Sequence, residues 1–189
     1  MTNELNGVNL YLVRHGPYNS YFGNKGQPDH QKNIQEACSL NQAGEQQSTS
    51  LGKYLKENRG SVDLILCSNT KYIRQSANIL GRLLEVAIVQ DLELIEFNSI
   101  ECKTFYKNQN QAIALGITRI INWLNDLVRN QKYAGKTIMI VTHAAPISWI
   151  INYIDPTISV NVVNGSFTYI TYNIKGGFKL GIYDCVNHL

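Results

Sequence analysis

The chain has 189 residues, of which 44% are hydrophobic and 16% are charged. These proportions predict a single globular domain over residues 1–189 with a sizeable core, and they exclude a disordered or fibrous protein. The formal net charge is only +3 and the basic residues are scattered, which excludes the footprint of a nucleic-acid or membrane-surface binder.

Short apolar runs alternate with helical periodicities along the chain. Residues 8–13 form a β-rich apolar run that stops at Arg14-His15-Gly16, as a buried strand that enters a loop would. Residues 17–39 are rich in Gly, Asn, Gln and Pro and predict a long loop or cap insertion of the kind that often shapes a binding site. The elements predicted next are a helix over 42–57, a strand over 62–67, a helix from about Thr70, a strand over 85–90, an acidic loop over 91–104, a helix over 111–130, a strand over 136–141, a turn over 142–146, a helix over 147–154, and a hairpin of strands 166–174 and 178–183.

The helix over 111–130 has the clearest periodicity. Its apolar residues Ile113, Ile117, Ile120, Leu124 and Leu127 recur at alternating spacings of four and three, which predicts one buried face. Strands that alternate with helices, without internal repeats, predict an α/β fold with three layers and a mostly parallel sheet.

Two of the four histidines, His15 and His143, directly follow predicted strands. An open α/β sheet binds ligands outside the carboxyl ends of its strands, so both imidazoles could face one pocket. Arg14 places a guanidinium beside His15, and Gly16 lets the backbone approach a ligand, which suits a small anion such as phosphate. The alternative is a solvated turn histidine beside a surface arginine.

The remaining cysteines and histidines do not indicate a second site. The four cysteines form no Cys-x-x-Cys pair, and no cluster of His, Cys, Asp or Glu has the spacing of metal ligands. We therefore expect reduced thiols and no metal or other cofactor, and we expect His30 and His188 to be solvated bystanders. No apolar run approaches the roughly 18 residues of a membrane-spanning helix, and no secretory signal is visible, so we expect a cytoplasmic protein without membrane or nucleic-acid partners.

Arg14-His15-Gly16 after the first strand resembles the signature of the histidine phosphatase superfamily, the phosphoglycerate mutase-like proteins. Similar segments follow in the family's order: Leu-Asn-Gln-Ala-Gly-Glu-Gln-Gln at 40–47, Asp-Leu-Glu-Leu-Ile-Glu at 91–96, and Val-Thr-His-Ala-Ala-Pro-Ile at 141–147 around the second histidine. The resemblance touches nearly the whole chain and implies the phosphoglycerate mutase-like fold. It implies a phosphatase rather than a mutase, because family mutases generally carry longer insertions.

The activity implied by the resemblance is the metal-independent hydrolysis of a small phosphomonoester through a phosphohistidine on His15. Arg14 would neutralise the phosphate oxygens, His143 would donate a hydrogen bond to the transferring group, and the amide of Ala144 is a further candidate donor. Glu96 matches the family's proton donor, which would protonate the leaving oxygen and then activate water.

Other residues compete for two of these roles. Glu93 and Glu101 are the alternatives for the carboxylate. Tyr72 stands where the family has a second phosphate-binding arginine. Arg74 lies about 200° further around the predicted helix, so we expect it to be solvated with other polar residues, and Lys71 lacks the planar fork of a guanidinium.

Several aromatic residues, Tyr18, Tyr21, Phe22 and Tyr72, suggest an entrance for a ring-bearing substrate, although ordinary packing of a cap explains them equally well. Losing the arginine also leaves a second class of function open: a phosphate-binding or protein-interaction module of the same fold that has lost efficient turnover. A phosphomutase is the third possibility. The oligomeric state is not indicated.

Overall fold

A six-stranded mixed sheet forms the centre of the computed structural model, which describes residues 7–19, 38–95 and 109–189. The strands lie in the order β3-β2-β4-β1-β5-β6. β1 is parallel to β4, β4 to β2 and β2 to β3, whereas β5 runs antiparallel to β1 and β6 antiparallel to β5. Their bounds are Gly7–Arg14 (β1), Leu64–Cys67 (β2), Ile88–Gln90 (β3), Thr137–Thr142 (β4), Phe167–Asn173 (β5) and Gly177–Leu180 (β6).

In the described part of the chain, four helices cover the two faces of this sheet. They are α1 (Gln42–Asn58), α2 (Lys71–Leu84), α3 (Gln109–Arg129) and α4 (Ala144–Ile154), and single 3-10 turns lie at Leu92–Leu94 and Gln131–Tyr133. Apolar residues of α1 and α2 join one core cluster, and those of α3 and α4 join the cluster on the opposite face. The predicted three-layer α/β fold with a mostly parallel sheet is therefore confirmed.

The predicted turn over 142–146 is wrong, because Thr142 is the last residue of β4 and the residues from Ala144 onward form a helix. His143 has extended backbone and is the N-cap residue of α4, so the helix begins at Ala144. Pro146 does not prevent this start, because a proline is tolerated in the first turn of a helix, where its missing N–H has no partner to lose. The correction places the start of a helix directly after the second histidine.

The buried face of α3 also differs from the predicted one. Ile120, Leu124 and Leu127 are buried as expected, but Ile117 is 38% exposed. The stripe continues toward the N-terminus through the small residues Ala112 and Gly116, which are buried. Small residues carry little weight in a hydrophobic pattern, so the pattern did not reveal this part of the buried face.

The loop after β1 meets the start of α1 backbone against backbone. A Cβ added to Gly16 would lie 2.5 Å from the Cα of Gly44, and one added to Gly44 would lie 2.2 Å from the carbonyl oxygen of Pro17. Both positions therefore require glycine. Asn41 caps α1 at this point, since its side chain accepts a hydrogen bond of 2.9 Å from the amide of Gly44.

Two predicted regions fall mainly outside the described residues. They are the cap insertion beyond residue 19, up to residue 37, and the acidic loop from residue 96 onward. Within the described residues, three cysteines are free thiols, and no group of three His, Cys, Asp or Glu could hold a metal ion. Over the same ranges, no helix has the length and apolar character needed to cross a membrane.

Candidate active site

The two histidines that follow β1 and β4 lie side by side because these strands are neighbours. Arg14 pairs with Thr142 in the parallel register, so the residue after each of them emerges at the same edge of the sheet. The ring centroids of His15 and His143 are 5.7 Å apart and the rings meet edge to face at 76°. Each side chain is only 4% exposed. A single small group can therefore touch both rings.

The ring of His15 is oriented by its own loop. Its Nδ1 donates a 2.8 Å hydrogen bond to the carbonyl oxygen of Gly16 when the proton is on that nitrogen, which leaves a lone pair on Nε2. Burial lowers the pKa of His15 from 6.5 to about 4, the bond to Gly16 opposes this shift, and the charge of Arg14 adds to it. The imidazole is consequently neutral at physiological pH, as a nucleophile must be.

The backbone of His15 is held by a segment far along the chain. The amide of Gly165 donates to the carbonyl oxygens of Arg14 and His15, at 3.1 and 3.2 Å, and the side-chain amide of Asn164 donates to the same carbonyl of His15 at 3.1 Å. His188 in turn bonds the carbonyl oxygen of Gly165 through its Nε2, at 2.8 Å. The expectation that His188 is a solvated bystander is wrong, because it is half-buried and supports the turn behind the first histidine.

Sequence reasoning missed this support. Asn-Gly at 164–165 is a turn dipeptide, and Gly165 has a φ of +76°. That signal predicts a turn, but nothing in it shows which loop the turn contacts. Ser76 was missed for the same reason: its Oγ accepts a 3.3 Å hydrogen bond from the amide of Gly16 and another from Ser48, and both serines are buried.

Arg14 lies beside both imidazoles. Its Nη1 donates to the carbonyl oxygen of Val162, which fixes the guanidinium at the edge of the sheet. The charge of Arg14 lowers the pKa of both histidines. For His143, burial is the main cause, followed by the neighbouring His15, and its pKa falls to about 3. The pair is therefore neutral, with a permanent positive charge alongside.

Tyr72 reaches the site from α2. Its hydroxyl oxygen is 3.4 Å from Nδ1 of His143, and its ring centroid is 4.5 Å from that of His15. Arg74, by contrast, is exposed, as its place on the helix predicts. Tyr18 stacks on Tyr72 at the entrance, whereas residues 21 and 22 of the predicted aromatic group lie outside the described residues.

The structure describes the predicted amide donor, Ala144, but only one of the three candidate carboxylates. Ala144 is the first residue of α4, so its amide is one of the N–H groups that lack a partner within the helix. Glu96 and Glu101 lie outside the described residues. The third candidate, Glu93, is exposed. Its carboxylate forms an ion pair with Arg119, at 3.7 Å from Nε.

The chain that leads toward position 96 is anchored beside the second histidine. The hydroxyl of Thr142 donates a 2.9 Å hydrogen bond to the carbonyl oxygen of Leu94, and both residues are fully buried. Arg119 donates to the carbonyl oxygen of Ile95, the last described residue of this segment. The indole of Trp123 donates to the carboxylate of Asp91 at 2.8 Å.

Together these residues can bind an oxyanion and attack it. The neutral, buried ring of His15 presents one nitrogen lone pair. The ring centroids of Tyr72 and His143 lie 4.5 and 5.7 Å from that of His15, and the guanidinium of Arg14 supplies positive charge. Phosphoryl transfer needs such positioning and charge stabilisation from the protein.

Comparison with known proteins agrees with this description. Residues 10–116 match the family model of the histidine phosphatase superfamily (branch 1). No curated protein matches the sequence. Among solved structures, a phosphoglycerate mutase from Bacillus anthracis superposes with a TM-score of 0.73 at 19% identity, covering 97% of this chain and 95% of that one.

Two further solved structures have the same fold. YhfR of Bacillus stearothermophilus has a TM-score of 0.71 at 20% identity and covers 96% of this chain and 98% of its own. A phosphoserine phosphatase from Entamoeba histolytica, in complex with 3-phosphoglyceric acid, has a TM-score of 0.68 at 21% identity and covers 96% of this chain and 99% of its own.

Proposed function

Because the chain belongs to the histidine phosphatase superfamily, we propose that it hydrolyses a small phosphomonoester through a phosphohistidine on His15. The observation that carries this proposal is the orientation of His15: Nδ1 bonds the carbonyl of Gly16, the ring is neutral, and His143 is 5.7 Å away. A ring fixed in this way has one nucleophilic atom, Nε2.

In the first step, the lone pair on Nε2 of His15 forms a bond to phosphorus, and the ester P–O bond breaks. Glu96, assigned by its match to the family's proton donor, gives a proton to the leaving oxygen. Arg14 and His143 stabilise the charge on the phosphoryl oxygens as it moves. The first product, an alcohol, leaves.

In the second step, water attacks phosphorus and the P–N bond breaks. The carboxylate of Glu96 accepts the proton from water, and His15 recovers its lone pair. The net reaction consumes one water and releases an alcohol and inorganic phosphate, so no metal or redox partner is needed for the balance.

Chain length does not separate a phosphatase from a mutase in this family. The expectation that mutases are longer is weakened by the Bacillus anthracis protein, which bears the name phosphoglycerate mutase and of which 95% is covered by this chain. The proposal of a phosphatase therefore depends on hydrolysis in the absence of a bisphosphate primer.

The test is hydrolysis of 4-nitrophenyl phosphate by the purified protein and by variants. His15→Ala should remove turnover, and Arg14→Ala should lower kcat/KM by about one to two decades, since a charge-assisted hydrogen bond is worth about 1.5 to 3 kcal/mol. Arg74→Ala is the matched control, and it should match the wild type because Arg74 is exposed on the outer face of α2.

Rapid quenching during turnover should trap an acid-labile phosphate on His15 that is absent from His15→Ala. Equal residual activity in the wild type and His15→Ala would contradict the proposal and leave a binding module. Label on any other residue would refute the role of His15.

A further inference from the structure

Tyr72 joins the two histidines of the candidate site. It is the second residue of α2 and only 8% exposed, and its phenol ring lies 4.5 Å from the ring of His15 between centroids. Its hydroxyl oxygen lies 3.4 Å from Nδ1 of His143. A group bound between the histidines would therefore meet this hydroxyl.

Tyr18 packs against the ring of Tyr72. The rings of Tyr18 and Tyr72 are stacked, with centroids 3.9 Å apart and planes within 7° of parallel. Stacking restricts rotation of the phenol. The hydroxyl is therefore held at the site.

A hydroxyl carries one hydrogen to donate and two lone pairs that accept. When the single proton of the neutral His143 ring is on Nδ1, the oxygen of Tyr72 accepts it while its own hydrogen points to an oxyanion, so His143 then acts on the phosphoryl group through Tyr72. Nε2 of the same imidazole is buried away from solvent. The phenol can thus link His143 to a bound phosphate without giving up either hydrogen bond.

The elements around Tyr72 supply little positive charge. Besides Tyr72, the described titratable or charged residues on β1, the loop after it, α1, β2, α2 and the N-cap of α4 are Tyr11, Arg14, His15, Tyr18, Glu45, Lys53, Tyr54, Lys56, Glu57, Cys67, Lys71, Arg74, Arg82 and His143. Among the cations, Lys53, Lys56, Arg74 and Arg82 are exposed. Burial keeps both imidazoles neutral at physiological pH, with pKa values of about 4 and about 3, and raises the pKa of the Cys67 thiol to about 11.

Arg14 is the cation that acts on the two imidazoles among the described residues. Lys71 and Arg74 line a cavity with Cys67, Gln75 and Gln90, and its lining includes neither imidazole. A buried anion with two charges needs more compensation than the one guanidinium that the described residues place beside the imidazoles. The missing charge can be supplied by a proton on the anion.

We propose that Tyr72 binds the phosphoryl group as a neutral donor in place of a second cation, and that the site therefore selects the singly charged form of the phosphate. This rests on the phosphate site of the proposed function. Because a phosphomonoester loses its second proton near pH 6, the substrate class is a phosphomonoester monoanion, and the protein works best in mildly acidic solution.

Binding of inorganic phosphate, measured by calorimetry at about pH 5 and about pH 8, tests this without turnover. The wild type should bind phosphate about tenfold more tightly at the lower pH. Tyr72→Phe should lose about three- to tenfold in affinity at the lower pH. Tyr72→Arg, which adds a permanent charge, should bind nearly equally at both. Sulfate, which has two charges at both pH values, should bind the wild type weakly at both.

Three results would overturn the proposal. Equal affinities of the wild type and Tyr72→Phe would show that the hydroxyl does not contact the anion. An unchanged pH ratio in Tyr72→Arg would show that charge at this position does not set the preference. Sulfate binding that strengthens in parallel with phosphate at low pH would place the proton on an imidazole. Near-ultraviolet circular dichroism of each variant verifies that it is folded. If His15→Ala kept its turnover, that result would contradict the proposed function but not the role of Tyr72 in binding phosphate.

Discussion

Lowering the pH from about 7 to about 5 should destabilise the fold through His15 and His143. In the unfolded chain each imidazole has its ordinary pKa of 6.5, whereas in the folded chain burial lowers the two pKa values to about 4 and about 3. Between these limits the unfolded state binds more protons, so the free energy of unfolding falls as the pH falls. The stabilisation is complete above the unfolded pKa.

The magnitude follows from the width of that window. For each histidine, every pH unit between its pKa in the folded chain and its pKa in the unfolded chain changes the free energy of unfolding by about 1.4 kcal/mol. At about pH 5 each histidine should therefore lower the free energy of unfolding by about 2 kcal/mol, and the two together by about 4 kcal/mol, relative to about pH 7. Both folded rings are still neutral at this pH, so the two contributions should add.

Urea unfolding at the two pH values measures the effect. Replacing His15 or His143 with Asn removes the titrating ring, so each variant should lose about 2 kcal/mol of the pH dependence and the double variant about 4 kcal/mol. The comparison with the wild type cancels the carboxylates and His188. A pH dependence in His15→Asn equal to that of the wild type would mean that His15 is not held neutral, and the assignment of a free Nε2 would lose its basis.

Three further predictions concern the supports of the site. Gly44→Ala should lower the free energy of unfolding by about 1 to 3 kcal/mol and reduce activity, because the added Cβ would lie 2.2 Å from the carbonyl oxygen of Pro17 in the loop after β1. Gly60→Ala, where the added Cβ meets nothing within 4 Å, should do neither. Equal effects of the two substitutions in urea unfolding would contradict this. Thr142→Val leaves a buried carbonyl without its 2.9 Å donor and should cost about 1 to 3 kcal/mol in the same assay. His188→Ala removes the bond to Gly165 and should lower kcat more than it raises KM, and unchanged steady-state kinetics would show that this anchor does not position the site.

The α/β architecture and the positions of the two histidines could be predicted from local patterns in the sequence. Apolar alternation and helical spacing report burial along the local chain, and they predicted the strands and helices of the sheet and its layers. The ends of two apolar runs located His15 and His143, because the end of a strand is a local feature of the sequence. Neighbouring parallel strands then bring such residues to one edge.

The contacts that hold the site, and those that Tyr72 makes, could not be predicted from the local sequence. The hydroxyl of Tyr72 meets an imidazole 71 residues away, and Asn164 bonds a carbonyl 149 residues away. Contacts between residues so far apart in the sequence depend on how the layers pack, and the hydrophobic periodicity of a single segment does not predict them. The hydrogen bond between His188 and the carbonyl oxygen of Gly165 is another such contact. The start of α4 at Ala144, directly after His143, was likewise seen only in the structure.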